Sequence, residues 1–456
     1  MSDNSTSSLP IAQNQALFRQ LVADALAHAR TLGASDAAAE VSESRGLSVS
    51  VRKADIETVE QTRDRSLDLT VFAGTRRGSA STSDFSAQAI RETVEAAWHI
   101  ARYTAEDPAA GLPEAADLAT DILELDLHHP WSITAEEAAA LAIRGEQAAA
   151  RVSPLITNTD GASVDTYEGH FVLGNTRGFM GGYPYSRHSL SVAPIAGRGA
   201  GMQRDYWYTA ARNANDLATP EAVGEYAAQR TLSRLSARRL KTGRYPVLYE
   251  APLAIGLMGA LVQACSGGAL YRKASFLVDA LGKPVLADHL DVSEDPLVRG
   301  AMGSSSFDSE GVRTQAREVV AGGVLQGYFL STYTARKLGL HTTGNAGGSH
   351  NLRLASRLTR PDDDLPAMLR KLGTGLLVTE LIGQGVNYVT GDYSRGAFGY
   401  WVEGGEIQHA VQEFTIAGNL ADMFRQIVAV GADSITRGAK TTGSVLIEQM
   451  SVAGQQ

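Results

Sequence analysis

Tyr400-Trp401-Val402-Glu403-Gly404-Gly405-Glu406-Ile407-Gln408 spells out a β-hairpin, two strand-forming runs flanking Glu403-Gly404-Gly405. Glycine reaches positive φ without a Cβ clash, which short hairpin loops demand. The same arrangement recurs where Glu318-Val319-Val320 and Val324-Leu325-Gln326 flank Ala321-Gly322-Gly323. Leu376-Leu377-Val378 is a short apolar run suited to a buried strand, and Val445-Leu446-Ile447 gives a final strand. Pro361-Asp362-Asp363-Asp364 breaks the chain ahead of a helix at about 365–372, and Asn419 opens a last helix near 420–430.

Working back toward the N-terminus, a new unit begins near Arg244, with a helix from about Pro252 to Cys265. Thr219-Pro220 reads as a helix start with proline in the first turn, running to about Leu240. Residues 155–210 form strands with Gly-rich turns, and Thr134 with Glu137 sets a capping box for a helix through about Val152. The stretch 106–131 carries Pro108, Pro113 and Pro130 among acidic residues and reads as a surface connection. Earlier still, a helix is expected at about 84–104. Leu47, Val49 and Val51, then Ile56–Glu60, then Leu67, Leu69 and Val71 mark an antiparallel meander over 37–74. Leu17, Leu21, Val22, Ala25, Ala29 and Leu32 line one face of a helix over 11–32, stopped by Gly33.

The expected fold is therefore α+β, with mixed, largely antiparallel sheets and flanking helices. Its expected parts are a disordered N-terminus (1–10), an N-terminal meander subdomain (11–105), a connection (106–133), a middle α+β subdomain (134–242) and a Gly-rich, hairpin-containing C-terminal domain (243–456). The 456 residues, 44% hydrophobic and 20% charged, suit a globular protein of several domains.

Net charge is −9, which works against nucleic-acid binding. The one basic cluster, Arg234, Arg238, Arg239, Lys241 and Arg244, reads as a helix end and its exit, where cations complement the dipole. Cys265 is the sole cysteine, so no intrachain disulfide forms, consistent with a reducing compartment. Met1–Pro10 is polar and lacks the basic-then-apolar pattern of a secretory signal. No apolar run reaches the roughly 18–20 residues needed to cross a bilayer. A soluble, cytoplasmic protein without membrane contact is expected.

Catalytic motifs are missing. Among the ten histidines only His128 and His129 are adjacent, a spacing that sends side chains to different faces, and His341 and His350 are separated by a Gly-rich stretch. A zinc-hydrolase helix needs two His one turn apart beside a Glu. Gly391-Asp392-Tyr393-Ser394-Arg395-Gly396 has one residue too many for a nucleophile elbow. Gly431 to Thr441 misses the phosphate-loop spacing, and Gly373-Thr374-Gly375 lacks a third glycine. Cys265 ends a helix instead of starting one, so it reads as a small, half-buried core thiol. Three Gly-rich polar loops remain, Thr342–His350, Gly383–Asn387 and Gly391–Gly396. They read equally as strand-connecting turns or as backbone open to an extended peptide that adds to a sheet edge. The candidate contacts are Gly344, Asn345, Gly347 and Gly348 in the first, and Asp392, Tyr393, Ser394 and Arg395 in the last.

Asp308-Ser309-Glu310-Gly311-Val312, Gly327-Tyr328-Phe329-Leu330, Ala335-Arg336-Lys337-Leu338-Gly339 and Thr343–Gly348 closely resemble the TldD/PmbA family. So do Gly373–Glu380, Gly391–Gly396 and Ile416-Ala417-Gly418-Asn419-Leu420. Ser266-Gly267-Gly268-Ala269 with Tyr271-Arg272-Lys273 resembles its PmbA (TldE) branch. The resemblance spans nearly the whole chain. It implies a heteromeric metalloprotease that degrades unfolded peptides and trims peptide precursors, with zinc held by a His-Glu-x-x-x-His helix and a late Cys in the TldD-like subunit. Matched on Arg272-Lys273, that helix motif falls on Gly259, Ala260 and Ala264, and no Cys follows Cys265.

The resemblance thus implies no catalytic or metal residue in this chain and no cofactor bound by it, zinc belonging to a TldD-like partner. The expected role is architecture of the proteolytic chamber and peptide holding, with unfolded or extended peptides as further partners. The alternative is a homodimeric peptide-binding or chaperone-like module. Relatives can also carry a gyrase-modulator label, and the acidic balance argues against direct DNA binding.

Overall fold

Small apolar residues alternate with polar ones from Asp36 onward, and they build the longest hairpin of the chain. The computed structural model describes residues 11–454; the stretch 1–10, expected to be disordered, lies outside the described residues. The first half runs α1 (Ile11–Thr31), β1 (Asp36–Arg52), β2 (Asp55–Ala73), β3 (Arg76–Thr82), α2 (Ala87–Tyr103) and α3 (Ala135–Val152). It continues through β4 (Ile156–Asn175), β5 (Met180–Gly181), β6 (Pro184–Ala196), β7 (Gln203–Arg204), β8 (Trp207–Ala211) and α4 (Pro220–Ser233). Among the described residues these strands form one eight-stranded sheet in the order β3-β2-β1-β4-β6-β7, with β5 on β4 and β8 on β6. The segments 11–105 and 134–242 therefore share a sheet, through the antiparallel β1–β4 pair.

The meander expected over 37–74 is a single hairpin, because Ile56–Glu60 opens β2 and forms no strand of its own. Its turn is Lys53-Ala54, both left-handed at φ 54° and 63°. Neither is glycine, so no turn signal stood in the sequence. Glu146 of α3 holds the turn from outside, its two oxygens accepting the Lys53 and Ala54 N–H groups at 2.8 and 2.7 Å. Strand β3 was not anticipated, since it carries no large apolar residue.

Helices cover one face of this sheet. Phe18, Val22 and Ala25 of α1 and Val94 of α2 pack on Val41 and Leu69. Ala142 of α3 and Ala227 of α4 pack on Val49, Val164 and Leu190. The predicted capping box of α3 is present in full. Helix α4 stops at Ser233, short of the expected Leu240, because Arg234 turns away to bond Glu380 at 2.6 Å and lies 3.8 Å from the Phe398 ring centre.

The expected surface connection is a partly buried strap. Its prolines block regular structure, but Leu112, Leu118, Leu125 and Leu127 are buried. The strap also pairs with the second half of the chain: Ala119 donates to Gly311 O and Arg313 donates to Asp117 O, each at 2.9 Å.

The second half comprises β9 (Arg238–Arg239), β10 (Gly243–Tyr249), α5 (Ala251–Ala264), α6 (Gly267–Tyr271), β11 (Leu290–Asp295), β12 (Arg317–Ala321), β13 (Val324–Leu325) and α7 (Thr332–Leu338). It ends with β14 (Asn351–Ser356), α8 (Leu365–Leu372), β15 (Gly375–Ile382), β16 (Asp392–Glu403), β17 (Glu406–Asn419), α9 (Leu420–Arg425), β18 (Ile427–Val430), β19 (Ile435–Arg437), β20 (Lys440–Thr442) and β21 (Val445–Ala453). Among the described residues, one sheet runs β18-β21-β10-β15-β16-β17-β9 and another β13-β12-β11-β14-β20-β19. Most pairings are antiparallel, so the fold is α+β as read from the sequence. Both Gly-Gly hairpins form, with Gly322, Gly323, Gly404 and Gly405 all at positive φ. Leu376–Val378 is fully buried and runs parallel to Val247–Tyr249. Helix α9 ends at Arg425 because Ile427, Ala429 and Val430 pair with β21.

Glu146→Ala removes the acceptor of both turn N–H groups and is expected to cost about 1–3 kcal/mol in urea unfolding. Ala54→Gly relieves the left-handed residue and is expected to gain about 0.5–1 kcal/mol in the same measurement.

Candidate functional site

Helix α5 is where the resemblance places the vacated metal positions. It opens behind the buried Tyr249, with Glu250 as N-cap and Pro252 in its first turn. Ala254, Leu257, Met258, Leu261 and Ala264 face the core. Gly256 and Gly259 lie on the opposite stripe, where an added Cβ would meet nothing within 4 Å. Ala260 is buried and Ala264 is fully buried. A hydrogen and two methyl groups offer no lone pair, so these residues do not fit zinc. Among the described residues, no group of three or more His, Cys, Asp or Glu side chains is placed to hold a metal ion. Cys265 is fully buried, more than the half-buried thiol expected, and burial pushes it up to about 12.

The loop 342–350 turns on one buried carboxylate. Glu294 of β11, 2% exposed, accepts from Arg317 Nε at 2.7 Å, Asn345 Nδ2 at 2.9 Å and the His350 N–H at 2.7 Å. Arg317 also donates to Asn345 Oδ1 at 3.1 Å, and Asn345 Nδ2 reaches Gly348 O at 3.1 Å. Asn345 is buried and its amide is committed to this bracing. Gly344 and Gly347 take positive φ, and a Cβ would strike Arg313 O at 2.8 Å or Ser309 Oγ at 2.6 Å.

Beside this loop Asp308 is only 4% exposed. Its Oδ1 accepts from the Glu310 and Val312 N–H groups, and its Oδ2 accepts from the Ala346 N–H. Burial, with the Glu310 charge adding, pushes the Asp308 carboxyl up to about 7 against the pull of these three bonds. Gly347, Gly348 and Asp308 line a cleft of about 430 Å³ between the C-terminal loops and the first sheet, which contributes Phe171, Tyr183 and Tyr185. Arg212 stands in its wall and donates to three carbonyls, Ala301, Ser186 and Met302.

The Gly391–Gly396 stretch sits elsewhere. It opens β16, where Asp392 and Ser394 are exposed and Tyr393 is buried. The Tyr249 hydroxyl donates to Tyr393 at 3.4 Å, and Ser394 N donates to Gly385 O at 2.7 Å. Arg395 is half-buried, and its Nε has no hydrogen-bond partner. Burial raises the Tyr393 phenol, while the Tyr249 bond and the Arg395 charge oppose it. No hydrogen bond joins this stretch to the 342–350 loop among the described residues. In the sequence Asp308 stands out only as part of a motif, and nothing marks Glu294, Arg212, Tyr183 or Tyr185. Their spacing in the chain gives no hint that the fold gathers them.

The chain matches the PmbA/TldA metallopeptidase profiles for domain 1 (residues 37–101), the central domain (128–235) and the C-terminal domain (242–454). It is 49% identical to the metalloprotease PmbA of Escherichia coli O157:H7, over 96% of this chain and 97% of that protein. It is 46% identical to a PmbA homolog of Haemophilus influenzae, over 99% of both chains. Among solved structures, a putative modulator of DNA gyrase from Bacteroides thetaiotaomicron superposes with a TM-score of 0.89 at 26% identity, covering 96% of this chain and 98% of that one. TldE of Thermococcus kodakarensis shares the fold, with a TM-score of 0.82 at 18% identity over 95% of this chain and 100% of that one.

Because the folded pKa of Asp308 lies above its ordinary value near 3.8, its contribution to stability is full below about pH 4 and is lost as pH rises through 7. Asp308→Asn removes this proton. The stability of the variant relative to the parent should therefore improve by at least about 1 kcal/mol between pH 4 and pH 8 in urea titrations.

Proposed function

We propose a non-catalytic role for this chain, which belongs to the PmbA/TldD metallopeptidase family and to its PmbA branch. It pairs with a TldD-like subunit, closes a proteolytic chamber with it and helps hold extended peptide. The partner supplies the zinc, and the complex works in the cytoplasm on unfolded peptides or peptide precursors. The observation that carries this reading is the composition of α5: Gly259, Ala260 and Ala264 stand where the resemblance puts metal ligands and base. No side chain there can bind zinc or activate water. In support, no helix among the described residues is long and apolar enough to cross a membrane.

A second reading is a homodimeric, chaperone-like peptide binder without a protease partner. It is favoured by the cleft beside Asp308, which belongs to this chain alone. Co-purification from the native cell separates the two readings, since only the first returns a TldD-like subunit.

Metal analysis and peptidase assays on the chain alone should give neither stoichiometric zinc nor cleavage, and co-expression with a TldD-like subunit should give both. Zinc and activity in the lone chain would overturn the proposal. Restoring ligands piecemeal should be asymmetric. Gly259→His faces open space and should leave the thermal midpoint nearly unchanged. Ala264→His forces an imidazole into a fully buried site and should cost about 3 kcal/mol.

A further inference from the structure

We propose that the cleft between the first sheet and the 344–350 loop is a subsite for one bulky apolar or aromatic side chain of an extended peptide, whose main chain is held by loop backbone. The proposal deepens the peptide-holding part of the function above and rests on it. It commits to a place and a side-chain class that the family resemblance does not supply.

Four observations point the same way. The cavity, about 430 Å³, is of the size that takes a large side chain with its peptide unit. Its sheet side is aromatic: the half-buried Phe171 and Tyr183 meet edge to face at 4.9 Å, and Tyr185 lines the same side. Edge-to-face contact of the two half-buried rings leaves ring surface for a further ring to join them. The opposite wall is loop backbone, and no hydrogen bond among the described residues is donated by the N–H of Gly347 or Ser349. These two N–H groups sit in turn and loop backbone, where they can each donate to a carbonyl of a bound peptide.

The charged groups Arg212 and Asp308 in the cleft are committed to internal hydrogen bonds. Arg212 spends its guanidinium on three backbone carbonyls, so it braces the wall and offers little to an incoming anion. Burial pushes both Glu40 and Asp308 toward the neutral acid, and Asp308 already accepts three N–H bonds. The three N–H donors already on Asp308 leave its oxygens little capacity for a cationic side chain. An uncharged ring gains from the aromatic wall without displacing these bonds.

The test uses the full chain and two capped pentapeptides, acetyl-Ala-Ala-Phe-Ala-Ala-amide and its all-Ala counterpart, measured by calorimetry or ligand-observed NMR. The Phe peptide should bind roughly tenfold more tightly. Ser309 is exposed at the cleft rim, so Ser309→Trp should plug the cleft and abolish this preference while the thermal midpoint stays unchanged. Tyr185→Ala should weaken the Phe peptide severalfold and leave the all-Ala peptide as it was. Equal binding of the two peptides, or a preference that survives Ser309→Trp, overturns the subsite while leaving peptide holding intact. If neither peptide binds the chain alone or in complex with its partner, the subsite and the peptide-holding reading both fail.

Discussion

The carboxylate of Glu294 is the constraint on which the C-terminal half turns. It is 2% exposed, and it is tolerated there because a guanidinium, a side-chain amide and a backbone N–H all donate to it. An isolated buried charge would cost several kcal/mol, so these three donors are obligatory. Two of them, Asn345 and His350, belong to the loop that forms the cleft. The third, Arg317, lies 5.1 Å from the Phe329 ring centre, in the core beneath the loop. One acidic side chain on β11 thereby fixes a six-residue span of irregular backbone against a rigid sheet. That is how a glycine-rich loop keeps a defined shape.

The same loop shows what could and could not be read from the residues. Hairpins carried by Gly-Gly pairs, the capping box at Thr134 and Glu137, and the helix at 365–372 were all legible, because each depends on neighbours in the chain. The Lys53-Ala54 turn was not, because its conformation is imposed by Glu146 from a distant helix. The strap at 106–131 was misjudged for a related reason. Its prolines describe local conformation correctly, but burial of its leucines depends on distant surfaces: Leu118 packs with Leu173 and Phe179 of the first half and Phe307 of the second. Of the cleft, only the glycines of one wall were visible in sequence. Asp308, Arg212 and the tyrosines come from separate elements and acquire meaning only when the sheet and the loops meet.

At α5, side-chain chemistry and space can be told apart. Gly259, Ala260 and Ala264 carry no donor atom, whatever their surroundings. Steric competence is absent only at Ala260 and Ala264, since Gly259 faces open space. The helix packs into the hydrophobic core on one side and is left bare on the other. Substituting single residues cannot reverse both conditions together.

The clamp between Glu146 and the Lys53-Ala54 tip also bears on how the chain reaches its structure. Most hairpins zip from a turn that is favourable on its own, but this tip is unfavourable without an acceptor 93 and 92 residues further along. Strand β1 must likewise wait for β4 before its second edge is paired. Loop closure over such distances is entropically costly before any contact rewards it. The β1–β2 hairpin is thereby coupled to the middle segment through Glu146 at its tip and β4 along its edge, so its stability is tied to residues that lie far along the chain.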